Sequence, residues 1–484
     1  MHRSAVAPRV HIRADDPSVT PYAGLLLTGE LLRNLNVVNR LSQAIDGVAP
    51  FKERRRGLGG GELLVALAEM MLIGGNHLAH LDVLRQDEAG APLRCSAVAP
   101  PPSTAGQLLR RLTPEQCHAA IAAMAGIGNE FDAYLGLDPS DAVSLDLDAS
   151  RTEVYGRKKE GARFNYEGRR GYDSQLITWA ERQRTIAGEL LADNAAPSLT
   201  ATALLRRALA TLPQGHGEVR LRGDSDYYTL DLLHACRQEQ VVFAVSVPRS
   251  TAMWRSLGRI GEQDWRPAVD MARAEVAETS YCPQGWRHEP LRLLVRRVRV
   301  DAAEISHSPR ARRRRTILKA QLALAVAGDI DTVYSYSFVI SDLPGEAVAV
   351  ELWQRQRAHI EERIRDLKLG CGLFHLPLGT VRANAGWQVA TVVTTNLMAM
   401  LSATVVAEAS APRDATAVVT EEVADAEDEQ PAYRTSPTLR RWMIAVPGRL
   451  VHRARRLHLR LPQCLWWAEE FTAAYDRLRG LAFT

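Results

Sequence analysis

Three acidic residues stand in settings unlike any others in the chain. Asp148 closes the strand-like run VSLDLDAS, Asp224 follows the run VRLRGD, and Glu361 lies on the basic helical stretch QRQRAHIEERIRDLK. Carboxylates are hard oxygen ligands. Mg²⁺ takes one or two of them and keeps its remaining positions for water and substrate phosphates. Two such ions can activate a nucleophile and stabilise a leaving 3′-oxygen. Set among many arginines, Asp148, Asp224 and Glu361 therefore point to metal-dependent chemistry on a phosphodiester backbone. Asp146 shares a strand face with Asp148 and competes with it as first ligand. Asp226 reads as an auxiliary ligand or a turn residue. Glu362 competes with Glu361.

The helix around Glu361 has a readable face. Arg357, Glu361, Arg365 and Lys368 follow at spacings of four, four and three, which stacks them on one side. Ile360, Ile364 and Leu367 form the adjoining apolar stripe. The cations on that face are candidate phosphate clamps. Arg312, Arg313, Arg314 and Arg315, in the run RARRRR, are further candidate DNA contacts. The plain alternatives are a salt-bridged helix and a solvated basic run.

Periodicity supplies the elements that must hold these groups. Residues 1–135 read as a helical DNA-binding region, with VHIRA as a short strand and Ser103-Thr104 capping a basic helix. Residues 103–112 fit a helix-turn-helix role or ordinary helix packing. From 136 to 248 the order is β-β-β-α-β-α-β, an α/β sheet with an antiparallel start and a parallel continuation. Residues 249–333 read as an inserted β-rich subdomain holding Trp254, Trp265 and Trp286, each a stacking platform or core. Residues 334–404 return to the sheet core, with one long helix through Gly370 and a buried helix after it. Residues 405–432 form an acidic, disordered linker, and 433–484 a basic helical terminus.

Composition narrows the class. With 46% hydrophobic and 24% charged residues the chain is an ordinary globular protein. Its 484 residues exceed one core, so two or three domains are expected. The net charge of +4 hides blocks of opposite sign, RARRRR and EEVADAEDE, which suit a polyanion partner. Six cysteines without CxxC spacing argue against a zinc ribbon and a disulfide scaffold and fit a reducing cytoplasm. No signal peptide is read. The apolar run Trp387–Val406 carries Gln, Asn, Ser and Thr, which favours a buried helix over a membrane span. His77 and His80 form a weak zinc pair at best.

Taken in order, VSLDLDAS, RLRGDSDYYTLDLL and QRQRAHIEERIRDLKLGCGLFHLP resemble bacterial DDE transposases. The nearest likeness is the insertion sequence thirteen-eighty family of the insertion-sequence-four group. TPYAGLLL and GGGELLVALAEMMLIGGNHLAHLDVLRQD resemble its leader, so the likeness spans about residues 8–403. It implies an RNase H-like core interrupted by a β insertion and preceded by a helical DNA-binding region. It also implies Mg²⁺ (or Mn²⁺) as cofactor, double-stranded DNA with terminal inverted repeats as partner, and a homodimer on the paired ends. The expected setting is the bacterial cytoplasm, at the nucleoid. Arg357, Glu361 and Lys368 match the family spacing around the Glu. Gln354 stands where Tyr is usual, and Asp226-Tyr227 where Gly-Phe is usual. A catalytically weakened DNA-binding regulator is the alternative function.

Overall fold

Alternating apolar and polar residues build the centre of the molecule. A computed structural model describes residues 10–53, 56–96, 98–164, 168–192, 198–306, 308, 312–409 and 434–481. For 312–313, 358–359 and 406–409 only the backbone is described. Arg310 and nearly all of the expected acidic linker lie outside these residues.

In chain order the strands are β1 (Val19–Thr20), β2 (Val143–Glu153), β3 (Arg163–Phe164), β4 (Arg170–Trp179) and β5 (Arg184–Ala192). There follow β6 (Val219–Gly223), β7 (Val242–Ser246), β8 (Arg266–Pro267), β9 (Ala274–Tyr281), β10 (Leu291–Asp301) and β11 (Thr332–Ser341). A terminal pair, β12 (Gly448–Arg453) and β13 (Arg456–Arg460), completes the set. One ten-stranded mixed sheet runs β3-β4-β2-β6-β7-β11-β10-β9-β8, with β5 also paired to β4. Only β2, β6 and β7 are mutually parallel. The antiparallel start and parallel continuation expected from the sequence are both present.

Strand lengths make a notch. β6 and β7 are short and end at Gly223 and Ser246. On one side β2 runs on through Asp148 to Glu153, still paired to β4. On the other, β11 meets β7 only at Val339–Ser341, and its Thr332–Phe338 stretch extends beyond, paired to β10. The carboxyl ends of the parallel strands thus open between two longer arms. Ligands of open α/β sheets bind at such ends.

Alternation assigns the two faces of the sheet. Val143, Leu145 and Leu147 are fully buried and pack with Leu204, Leu205, Leu232 and Leu233 of helices Ser198–Leu209 and Leu230–Gln238. Ser144, Asp146 and Asp148 point to the opposite face, under helices Ala347–Arg355 and Ala358–Arg365. Beyond them the N-terminal helices, from Leu25–Asn34 to Pro114–Tyr134, pack round helix Val381–Ala409 and its buried Trp387. That helix is long and apolar enough to cross a membrane by length and composition, but 83% of its most apolar window is buried inside the protein. Its packing supports the buried-helix reading.

Several expectations change. VHIRA is unpaired, and the first strand is Val19–Thr20. Ser103 and Thr104 sit inside a helix that starts at Pro102, where the missing N–H of proline costs nothing. The insertion is not a separate β unit. β9 and β10 extend the main sheet, because β10 pairs along its whole length with β11, and helices Thr251–Leu257 and Lys319–Ala327 flank them. The C-terminal region is not all helix. GRLVHRARRLHLR has period two and forms the β12–β13 hairpin, which joins β1. Arg440 ties this region down by donating to the carbonyls of Leu72 (2.6 Å), Met71 (3.0 Å) and Gly370.

Candidate active site

The helix expected to run unbroken from 347 to 370 is three pieces, and its first break positions the site. Asp146 and Arg222 are register partners on neighbouring parallel strands. Arg222 Nε and Nη2 donate to the two Asp146 carboxylate oxygens at 2.6 and 2.9 Å, with both side chains nearly fully buried. Arg222 Nη1 then donates to the carbonyl of Trp353 at 2.7 Å, and its guanidinium lies over the Trp353 ring. In an unbroken helix that carbonyl would receive the Arg357 N–H. Arg357 instead bonds to Gln354 O, and the helix restarts at Ala358. Gln354 fixes the break against the strand ends, donating to Gly223 O and Ser246 Oγ, each at 3.3 Å.

The break places Arg357 over the notch. Its Nη2 lies 3.1 Å from Asp148 Oδ1 and 3.9 Å from Asp224 Oδ2. Asp148 lies within β2, not at its end, and its Oδ1 also accepts from Ala149 N–H at 2.9 Å. Asp224 directly follows β6. Its Oδ1 accepts from Asp226 N–H at 2.9 Å and caps the turn Ser225–Tyr227. Burial pushes the Asp148 carboxyl up to about 6 against the pull of Arg357, and the charges of Asp224 and Glu361 push in the same direction. Exposed Asp226 is raised by burial of its carboxyl and by Asp224. This is a carboxylate-rich cleft with the Arg357 guanidinium as counter-ion.

Glu361 is exposed in the first turn of the restarted helix, near enough to act on Asp148 electrostatically. Among the described residues, no three His, Cys, Asp or Glu side chains converge closely enough to hold a metal ion. The donor chemistry nonetheless fits a hard cation. Two neighbouring carboxylates, one of them raised by the other's charge, suit Mg²⁺, whose other ligands come from water and phosphate.

The model for the family described as transposase DDE domain group 1 matches residues 3–420. The chain belongs to this DDE transposase family. No curated protein matches it. Among solved structures, one similar chain comes from the cryo-EM structure of a piggyBac transposase synaptic complex with hairpin DNA. The identity is 10%, the TM-score 0.39, and the match covers 80% of this chain and 76% of that one.

The other expected site residues of this DDE transposase chain do not share one helix face. Glu362 and Arg365 line a cavity of about 740 Å³ together with Asp146, Arg222 and Trp353, and neither Asp148 nor Asp224 is among its walls. After Arg365 the backbone makes a π-helical turn, Asp366–Gly370, which rotates Lys368 away from the α-helical stack. Lys368 Nζ donates to Arg151 O, on the arm of β2 beyond Asp148. Burial lowers its ammonium, with Asp173 and Asp148 opposing.

Arg312–Thr316 form a 3₁₀ turn beside β11, where the β10–β11 arm extends past β7. Arg314 donates to Ser306 O and Arg315 is exposed. Trp265 and Trp286 are buried and Trp254 packs edge-on to Tyr336 and Phe338, so all three serve the core. His77 does meet His80, and also His375, with ring centroids 5.3 and 4.0 Å away. His375 is held down to about 4 by burial and by the neighbouring His77 and Lys159. Arg222 is the residue that sequence reasoning missed. Its signal was the alternation of RLRGD, which puts it level with Asp146 once the parallel register is known.

Proposed function

We propose that this protein cuts DNA strands at the ends of a mobile element and transfers the freed 3′-hydroxyl to target DNA. The observation that carries the reading is the convergence on Arg357 of Asp148, midway along β2, and Asp224, just past the carboxyl end of the short parallel strand β6. The order β5-β4-β2-β6-β7, antiparallel first and parallel after, supports an RNase H-like core. Asp148, Asp224 and Glu361 would hold Mg²⁺ or Mn²⁺, which supplies Lewis-acid stabilisation of the phosphoryl oxygens and a more acidic attacking water or hydroxyl. Asp146 is committed to Arg222, which supports Asp148 as the first ligand.

The chain's own cations handle the substrate. The Arg357 guanidinium, 3.1 Å from Asp148 at the notch, is the cation that would meet a scissile-strand phosphate. Lys368 beside the β2 arm, Arg365 on the helix and the Arg312–Arg315 turn beside β11 would serve as contacts to the DNA backbone. They would position DNA without reading its sequence. Two ends must be cut together, so the working form is a homodimer on paired ends.

Glu361→Gln compared with Glu362→Gln tests the assignment on the helix. Nicking of end DNA in Mg²⁺ by the Glu361 variant should fall roughly a hundredfold or more, since carboxylates of one site act as a unit. The Glu362 variant should stay within a few-fold of wild type. The reverse ranking would move the third carboxylate to Glu362 and into the larger cavity.

A further inference from the structure

We infer that the β12–β13 hairpin is a second DNA-docking element, separate from the cleft, that grips the phosphate backbone of duplex DNA. This rests on the DNA-processing reading above. Between Gly448 and Arg460 the chain has five arginines, two histidines and no acidic residue. The register puts Arg449 opposite Arg460 and Arg453 opposite Arg456, with Val451 opposite His458 between them. All six side chains share one face of the ribbon, because side chains alternate along a strand. The other face carries Leu450, which is buried, and Leu459, which packs on the helical core. The hairpin is therefore anchored by its apolar face and by β1, and it presents its arginines to solvent.

Like charges directly opposite each other destabilise a two-stranded pair. Two such pairs in one short ribbon oppose folding unless an anion neutralises them. Arg449 has Asp16 at 2.7 Å. Arg453, Arg455, Arg456 and Arg460 are exposed, and none is ion-paired among the described residues. Protection of the free β13 edge explains charge on that strand, but not the matching arginines on β12. The turn adds to the pattern. Ala454 and Arg455 both have positive φ, 49° and 63°, in a two-residue connection. Asn-Gly is the easy choice for such a turn, yet here it carries a fifth arginine at the tip. Trp466, 80% exposed, follows closely after β13. A ribbon of this width fits the major groove or lies along the backbone, as β-ribbon DNA readers do.

The test uses the full-length protein and the triple variant Arg453→Gln/Arg455→Gln/Arg456→Gln. None of the three side chains has a partner among the described residues, so folding should be unaffected, which circular dichroism checks. Both proteins are titrated without divalent metal against random-sequence duplex DNA over a series of salt concentrations. Losing three phosphate contacts should flatten the slope of log K against log salt by roughly 2.7, at about 0.9 per contact. Affinity should fall most at low salt. An unchanged slope and affinity, with wild type binding normally, overturns the hairpin and leaves the cleavage reading intact. Failure of wild type to bind DNA at all overturns both.

Discussion

Asp148→Asn and Asp224→Asn should each remove strand cleavage, by about a thousandfold or more, while leaving a folded protein that still binds DNA. Both changes keep size and shape and remove only the negative charge. In the notch those two charges face the Arg357 guanidinium at 3.1 and 3.9 Å. Either change would remove one of the three carboxylates proposed to hold the divalent ions, and groups that act together fail together. Folding should be unimpaired, because Asp148 is charged against its own burial and its carboxyl is already pushed up to about 6. Nicking and strand-transfer assays on end DNA, with a binding titration beside them, check the prediction. An Asp224→Asn protein that cuts normally would remove Asp224 from the site.

Asp146→Ala should behave in the opposite way and destabilise the fold. Its carboxylate accepts two bonds from Arg222, and both side chains are nearly fully buried. Deleting one partner of a buried pair leaves the other charge unpaired and costs about 3–5 kcal/mol. The midpoint of urea unfolding should drop without a large change in slope. The double variant Asp146→Ala/Arg222→Met should regain a good part of that loss, since no unpaired charge remains. The pair also reaches the chemistry. Arg222 occupies the Trp353 carbonyl and so breaks the helix ahead of Arg357. Asp146→Ala should therefore reduce cleavage as well, and the double variant should restore stability more than activity. Wild-type stability in Asp146→Ala would show that Arg222 does not depend on its carboxylate.

The two aspartates were legible because strand alternation and position announce them. VSLDLD separates an apolar face from an acidic one, and RLRGD ends a strand with a carboxylate. What was not legible came from contacts between distant segments. The contact that favours Asp148 over Asp146 as first ligand depends on the parallel register that brings Arg222 level with Asp146. The spacing of Arg357, Glu361, Arg365 and Lys368 stacks them only on a continuous α-helix. A tertiary hydrogen bond to Trp353 O breaks that helix before Glu361, and a π-helical turn shifts the register before Lys368. The break at Arg357 has no local signature such as proline or glycine. The β insertion was visible as strands, but its merger with the main sheet depends on β11, which lies beyond it in the chain. The terminal hairpin did have a local signal, the period-two run GRLVHRARRLHLR, outweighed by the helical pattern on either side.

Divalent-metal dependence of cleavage on the element's own ends tests the central claim most directly. The substrate is duplex DNA carrying the flanks of the coding region, labelled on each strand in turn. Wild-type protein in Mg²⁺ should cut at a fixed position and leave a 3′-hydroxyl, and excess chelator should stop the reaction without releasing the DNA. Full cutting in chelator, or wild-type cutting by the Asp148→Asn and Asp224→Asn proteins, would contradict a metal-dependent site built on Asp148 of β2 and Asp224 after β6.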